Sequence, residues 1–149
     1  MSDLSNTRRS ALASAAGLLL GSNTVLSQEA TSPGHPDRKW FLQAQEMKAL
    51  AQSWGDQGYG AVLVFGQQGI GLGPSRVVKD KDANAHAERV AIRDAQRRRG
   101  QASLAGSVLY STSRPCTLCE AAAAQAGVSR MYYGEALEDA GQPRLARSE

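Results

Sequence analysis

Soft metal ligands are scarce in this chain, which has two Cys and two His in 149 residues. Any metal site must therefore be economical. Strong charge bias is missing as well. The 17 Lys plus Arg stand against 14 Asp plus Glu, a net charge of +3, and that mild balance does not by itself imply a nucleic-acid or membrane partner. Long apolar runs are missing too. The run Ala11 to Leu20 is diluted by Ala, Ser and Gly and is too short to span a bilayer. No internal repeat is evident. What is present is ordinary: 42% apolar and 21% charged residues, at a length that gives one domain with a real core.

The first 30 residues differ from the rest. Arg8 and Arg9 precede the run Ala11 to Leu20, and a polar, small-residue stretch comes after it. A basic start, an apolar middle and a small-residue exit make the pattern of an export signal. The paired arginines and dilute hydrophobicity resemble a twin-arginine signal, the type that exports folded proteins. Residues 1–30 are thus expected to be such a signal, with a disordered tail as the alternative reading. Residues 31–37, rich in Pro, Gly and Ser, read as a linker. The folded domain is expected over 38–149, in the periplasm or secreted, with the cytoplasm as the alternative. No membrane span would remain once the signal is removed.

Asp37 is a good N-cap for a first helix. Trp40, Ala44, Met47, Ala51 and Trp54 recur at helical spacing, and Gly55 and Gly58 end the helix. Its two tryptophans read as core packing. Ala61 to Phe65 is a buried strand closed by Gly66. A second strand is expected over Ile70 to Val78. Gly71, Gly73 and Pro74 inside it suggest a bulge, an edge or a close approach. His86 to Arg99 is helical and Gly100 stops it. Arg97, Arg98 and Arg99 suit the negative end of the helix dipole, an RNA-contacting patch being the alternative. Ser107 to Ser113 is a third strand, Cys116 to Gln125 a helix, and Val128 to Tyr133 a fourth strand. The polar residues from Glu135 onward read as frayed. The first two strands form a hairpin, and the later strand–helix–strand unit needs a crossover, as in a parallel pair. The expected class is α/β: a three-layer α/β/α arrangement with a mixed sheet.

Two short stretches carry chemistry, "NAHAE" at Asn84–Glu88 and "RPCTLC" at Arg114–Cys119. Each sits at the N-terminal end of an expected helix. Cys116 and Cys119 are three apart and share a helix face. A helix N-terminus lowers a thiol's pKa and favours the metal-binding thiolate. One imidazole, His86, and two thiolates suit tetrahedral zinc, and three protein ligands leave one position open, the catalytic pattern. Glu88, two residues after His86, can reach the space before the metal without ligating it and can move a proton to and from the activated water. Asn84 either lines the pocket or caps the helix.

His86-Ala87-Glu88 followed by Pro115-Cys116-Thr117-Leu118-Cys119 matches the His-x-Glu and Pro-Cys-x-x-Cys signature of zinc-dependent base deaminases. The chain resembles the cytidine deaminase superfamily from about Trp40 to Gly134. "YGAVLVFG", "AHAERVAIRDA", "LYSTSRPCTLC" and "SRMYYG" resemble the branch that holds guanine, cytosine and tRNA adenosine deaminases. The resemblance implies a cytidine-deaminase-like fold, Zn2+ held by His86, Cys116 and Cys119, and Glu88 as the catalytic proton carrier. It also implies substrate contacts at Ser75, Asn84, Ala87 and Pro115, with backbone N–H groups near Ala87 and Cys116 as donors. Ser75 stands where relatives of this branch carry an Asn that bonds the base. Relatives also continue beyond the fourth strand, so this chain is expected to be short at its C-terminus and to form a homodimer or larger assembly. The expected substrate is a free nucleobase or nucleoside, guanine or cytosine in type, because an exported protein meets no tRNA. The alternatives are a tRNA adenosine deaminase and an inactive zinc-binding module. A Cys-x-x-Cys redox pair is a further rival, opposed by Pro115 and the His-x-Glu stretch.

Overall fold

A computed structural model describes residues 35–146. The expected export signal, most of the linker and the last three residues lie outside the described residues. The elements are α1 (Arg38–Ser53), β1 (Gly60–Phe65), β2 (Gln68–Pro74), α2 (Ala87–Arg99), β3 (Val108–Ser111), α3 (Thr117–Ala126), β4 (Arg130–Tyr133) and β5 (Glu138–Gly141). The sheet order is β2-β1-β3-β4-β5. β3 and β4 run parallel across the α3 crossover, and every other neighbouring pair is antiparallel.

β1 is apolar on both faces because both faces are covered. Ala61 and Leu63 point into a core shared with Ala87, Ala91 and Ala95 of α2 and Ala123 and Ala126 of α3. Val62 and Val64 point the other way, to Ala44, Trp40 and Met47 of α1 and to Tyr110 and Tyr132. The result is the expected α/β/α sandwich with a mixed sheet.

β2 shows why its sequence is poor in strand formers. A bulge interrupts its register with β1 between Leu63 and Val64, it lies at the sheet edge, and its glycines meet a helix. A Cβ on Gly73 would overlap the Ala87 carbonyl oxygen and stand 2.7 Å from the Ala91 nitrogen, while one on Gly71 would overlap the Ala91 carbonyl oxygen. Bare backbone on β2 thus lets α2 settle directly on the sheet. Side chains from α2 finish the join. Buried Asp94 accepts from the Leu72 N–H at 2.9 Å and is paired with Arg97 and, at 2.9 Å, with Arg98. Arg99 lies over the Phe65 ring at 4.6 Å. The three arginines thus have partners within the protein as well as a place at the negative end of α2.

Asp37 caps α1 by accepting from the Lys39 N–H at 3.0 Å. At its other end the Gly55 and Asp56 N–H groups bond the carbonyls of Gln52 and Ala51, with Gly55 at φ +74. That is a Schellman stop. Three expectations need correction. β2 ends at Pro74, because residues 75–85 form a separate loop whose base closes through Arg76 N–H to Ala85 O at 3.0 Å. Trp54 is only half-buried, lying past the end of α1 with the Lys79 ammonium 3.7 Å above its ring. The stretch after Glu135 is a fifth strand, pinned to β4 by Arg130–Asp139 at 2.9 Å and by the Tyr133 hydroxyl donating to Glu138 at 2.7 Å.

Candidate metal centre

The two ligand-bearing stretches hold equivalent positions. His86 is the N-cap of α2 and Cys116 the N-cap of α3, both with extended backbone at ψ 151 and ψ 166. The crossed order of β1, β3 and β4 sets the two helix starts side by side on one face of the sheet. His86 makes no side-chain cap bond, which leaves its imidazole available. Cys119 comes one turn into α3, is buried, and donates its N–H to Cys116 Sγ at 3.5 Å.

The ligand atoms of His86, Cys116 and Cys119 all lie within 4.8 Å of one another. His86 Nδ1 is 3.7 Å from Cys116 Sγ and 3.5 Å from Cys119 Sγ. Tetrahedral zinc with its usual Zn–N and Zn–S bonds separates an imidazole nitrogen and a thiolate sulfur by about 3.6 Å. Both imidazole–sulfur separations therefore already match that ion, and half-buried His86 and exposed Cys116 leave the site accessible from outside.

Glu88 is buried at the foot of this cluster. Burial pushes its carboxyl pKa up, against its own backbone N–H, the Cys119 thiol and the His86 charge, which pull it down. Cys119 is pushed far above the usual thiol range, first by burial and then by the Glu88 charge. The expected lowering of this thiol by the helix N-terminus is thus overridden. A dication reverses the balance, since its charge favours both the thiolate and the carboxylate.

The remaining expected site residues divide. Ala87 is buried in the first turn of α2, and Pro115 is buried just before Cys116. Asn84 does not cap α2. It is exposed, and its side-chain oxygen accepts from Arg89 at 3.3 Å. Ser75 is fully buried and its hydroxyl donates to Asp56 at 3.0 Å, so it is engaged inside the protein instead of facing a base. Asp56 itself went unread in the sequence. Its carboxylate also accepts from the N–H groups of Gln57 at 2.7 Å, Val78 at 2.9 Å and Lys79 at 2.8 Å. Burial would raise its pKa, but these donors together outweigh that and hold it below the ordinary aspartate value. It fixes the loop that leads into His86. Its one sequence signal is an aspartate in the Gly-rich exit of a helix, a turn-forming position.

Three soft donors and a buried carboxyl, gathered at two helix starts, suit a zinc centre. Residues 35–135 match the family model for the cytidine and deoxycytidylate deaminase zinc-binding region, and the chain belongs to that family. It is 33% identical over 103 residues to a tRNA-specific adenosine deaminase of Buchnera aphidicola, covering 69% of this chain and 68% of that protein. To its counterpart from Agrobacterium fabrum it is 37% identical over 99 residues, covering 66% and 65%. The chain thus spans about two thirds of the length of these relatives. Among solved structures, one from a study of tRNA:A34 deaminases superposes with a TM-score of 0.64 at 36% identity, covering 66% of this chain and 71% of the other. Guanine deaminase from Bacillus subtilis superposes with a TM-score of 0.63 at 28% identity, covering 67% and 64%. Among the described residues, no helix is long and apolar enough to cross a membrane.

Proposed function

We propose that this chain hydrolytically deaminates an amino-bearing nucleobase, with His86, Cys116 and Cys119 holding the zinc and Glu88 carrying protons. The observation that carries the reading is the pairing of three donors at zinc spacing with a buried carboxyl that contacts Cys119. Bound zinc supplies Lewis acidity that readies a water for attack at neutral pH. Glu88 would carry one proton from the attacking water to the ring nitrogen and a second, from the added hydroxyl, to the departing amine. First-turn N–H groups of α2 and α3 without an intrahelical acceptor can donate to the developing oxyanion.

Two substrate readings have support. The similarity to tRNA-specific adenosine deaminases favours adenine within a nucleic-acid strand. The guanine deaminase neighbour favours a free base, as does the pattern of residues 1–30, because an exported enzyme meets no tRNA. The deciding experiment is an ammonia-release panel on the zinc-loaded chain, run over free bases, nucleosides, nucleotides and anticodon stem-loop RNA, beside Glu88→Gln. Release from one class that is lost in the variant establishes the function. A zinc-replete chain that releases nothing would leave it a binding module.

A further inference from the structure

We propose that Arg114 is a phosphate-binding residue at the rim of the metal centre, so that the substrate is a phosphate-bearing nucleoside and not a free base. This rests on the deaminase reading and names the substrate class for it.

Arg114 lies on the β3–α3 connection, two residues before Cys116, and the buried ring of Pro115 fixes the chain between them. It stands at the carboxyl end of the parallel β3–β4 pair, the end where open α/β sheets hold ligands. Its guanidinium is exposed yet oriented. Nη1 donates to the Tyr133 hydroxyl at 3.4 Å, and the group sits 5.7 Å from the Tyr133 ring centroid. The Tyr133 hydroxyl in turn donates to Glu138 at 2.7 Å, which turns the phenol's lone pairs toward Arg114. The guanidinium is therefore held from one side by a neutral oxygen, and among the described residues no carboxylate stands within ion-pair distance of it.

Neighbouring arginines at this end of the sheet are different. Arg38 is bridged to Glu135 at 3.2 Å and Arg144 to Glu120 at 3.5 Å. Arg114, two residues before the Cys116 ligand in the chain, has most of its five donors free, in the fork geometry that matches a phosphate. A nucleotide's terminal group and a phosphodiester of a strand offer Arg114 the same chemistry, and the two sources are separated by substrate length.

The test measures kcat/KM on zinc-loaded full-length chain for a base or nucleoside, its 5′-phosphate, and a short oligonucleotide carrying the same target. Wild type, Arg114→Gln, Arg114→Lys and the charge control Arg99→Gln are compared. The expected result is a preference for phosphate-bearing substrate, carried in KM, that falls about tenfold or more in Arg114→Gln and less in Arg114→Lys. Arg99→Gln should keep it. Tyr133→Phe should reduce it by a smaller factor. A preference already present with the mononucleotide identifies a terminal phosphate, and one confined to the oligonucleotide identifies a strand. Ammonia release without a phosphate preference, or with one that survives Arg114→Gln, overturns the inference and leaves the deaminase reading intact. Should no substrate turn over, binding of the same nucleotide and oligonucleotide to the Glu88→Gln chain is measured with and without Arg114→Gln. Arg114-dependent binding sustains the phosphate site, and its absence overturns it.

Discussion

Asp56→Ala is expected to lower stability by about 3 kcal/mol and to loosen the metal centre, although Asp56 touches no ligand. The magnitude comes from four donors. Truncation strands the Ser75 hydroxyl, which is fully buried and has no route to water, at a cost of about 1–2 kcal/mol. The N–H groups of Gln57, Val78 and Lys79 belong to exposed residues and can turn to water, so each loses only the net value of its bond, about 0.5 kcal/mol. For a domain of this size the sum corresponds to a fall in Tm of about 10 °C. The assay is thermal unfolding of the zinc-saturated chain at pH 7, with zinc release to a chelator followed in parallel. Release should be faster in the variant because the freed loop ends at His86. Linkage supplies a second readout. The folded pKa of Asp56 lies below its unfolded value, so its stabilising effect is full above about pH 3.9 and is lost as pH falls through the folded pKa. The gap between wild type and variant should therefore be widest near neutrality and close in acid. A Tm within about 2 °C of wild type, or a gap that widens as the pH drops, would refute the reasoning.

Cys119→Ser should abolish stoichiometric zinc binding, read by metal analysis after gel filtration, because the buried position admits no substitute donor of equal softness. Glu88→Gln should keep zinc while lowering turnover by about a hundredfold or more, and a variant as active as wild type would remove Glu88 from the chemistry. Gly73→Ala forces a methyl group into the α2 backbone and is expected to cost about 3 kcal/mol or more, seen as insoluble or zinc-free protein; normal yield and metal content would show that α2 can shift without harm. Fused to a reporter that is active only after export, residues 1–30 should direct it out of the cytoplasm, and replacing Arg8 and Arg9 by Lys should stop it.

The metal centre was legible because its information is local. His86, Glu88, Cys116 and Cys119 lie in two short stretches, each at the start of a helix whose far end a glycine marks. The sandwich was legible for a similar reason, since β1 is apolar on both faces and Gly100 and Gly127 stop α2 and α3 in left-handed conformation. What escaped was set by distant partners. Ser75 looked available because nothing in "PSRV" shows that Asp56, 19 positions earlier, holds its hydroxyl. Trp54 continued a helical stripe that the Gly55 stop cuts short, so its ring meets Lys79 in place of the core. β5 has no β-branched residue, and its strand character comes from Arg130 and Tyr133 of the neighbouring β4.

The two margins of the sheet carry a consequence for how copies of this chain can meet. One margin is β2, bent by its bulge, short of side chains and closed by Pro74, which has no N–H to offer. The other is β5, a short strand whose Glu138 and Asp139 are tied back to Tyr133 and Arg130 of β4. Neither border is a long, flat template for another strand, since one is bent and short of a donor and the other is only four residues long. Among the described residues, the sheet borders thus offer little purchase for the edge-to-edge pairing that leads through continuous sheets to fibres.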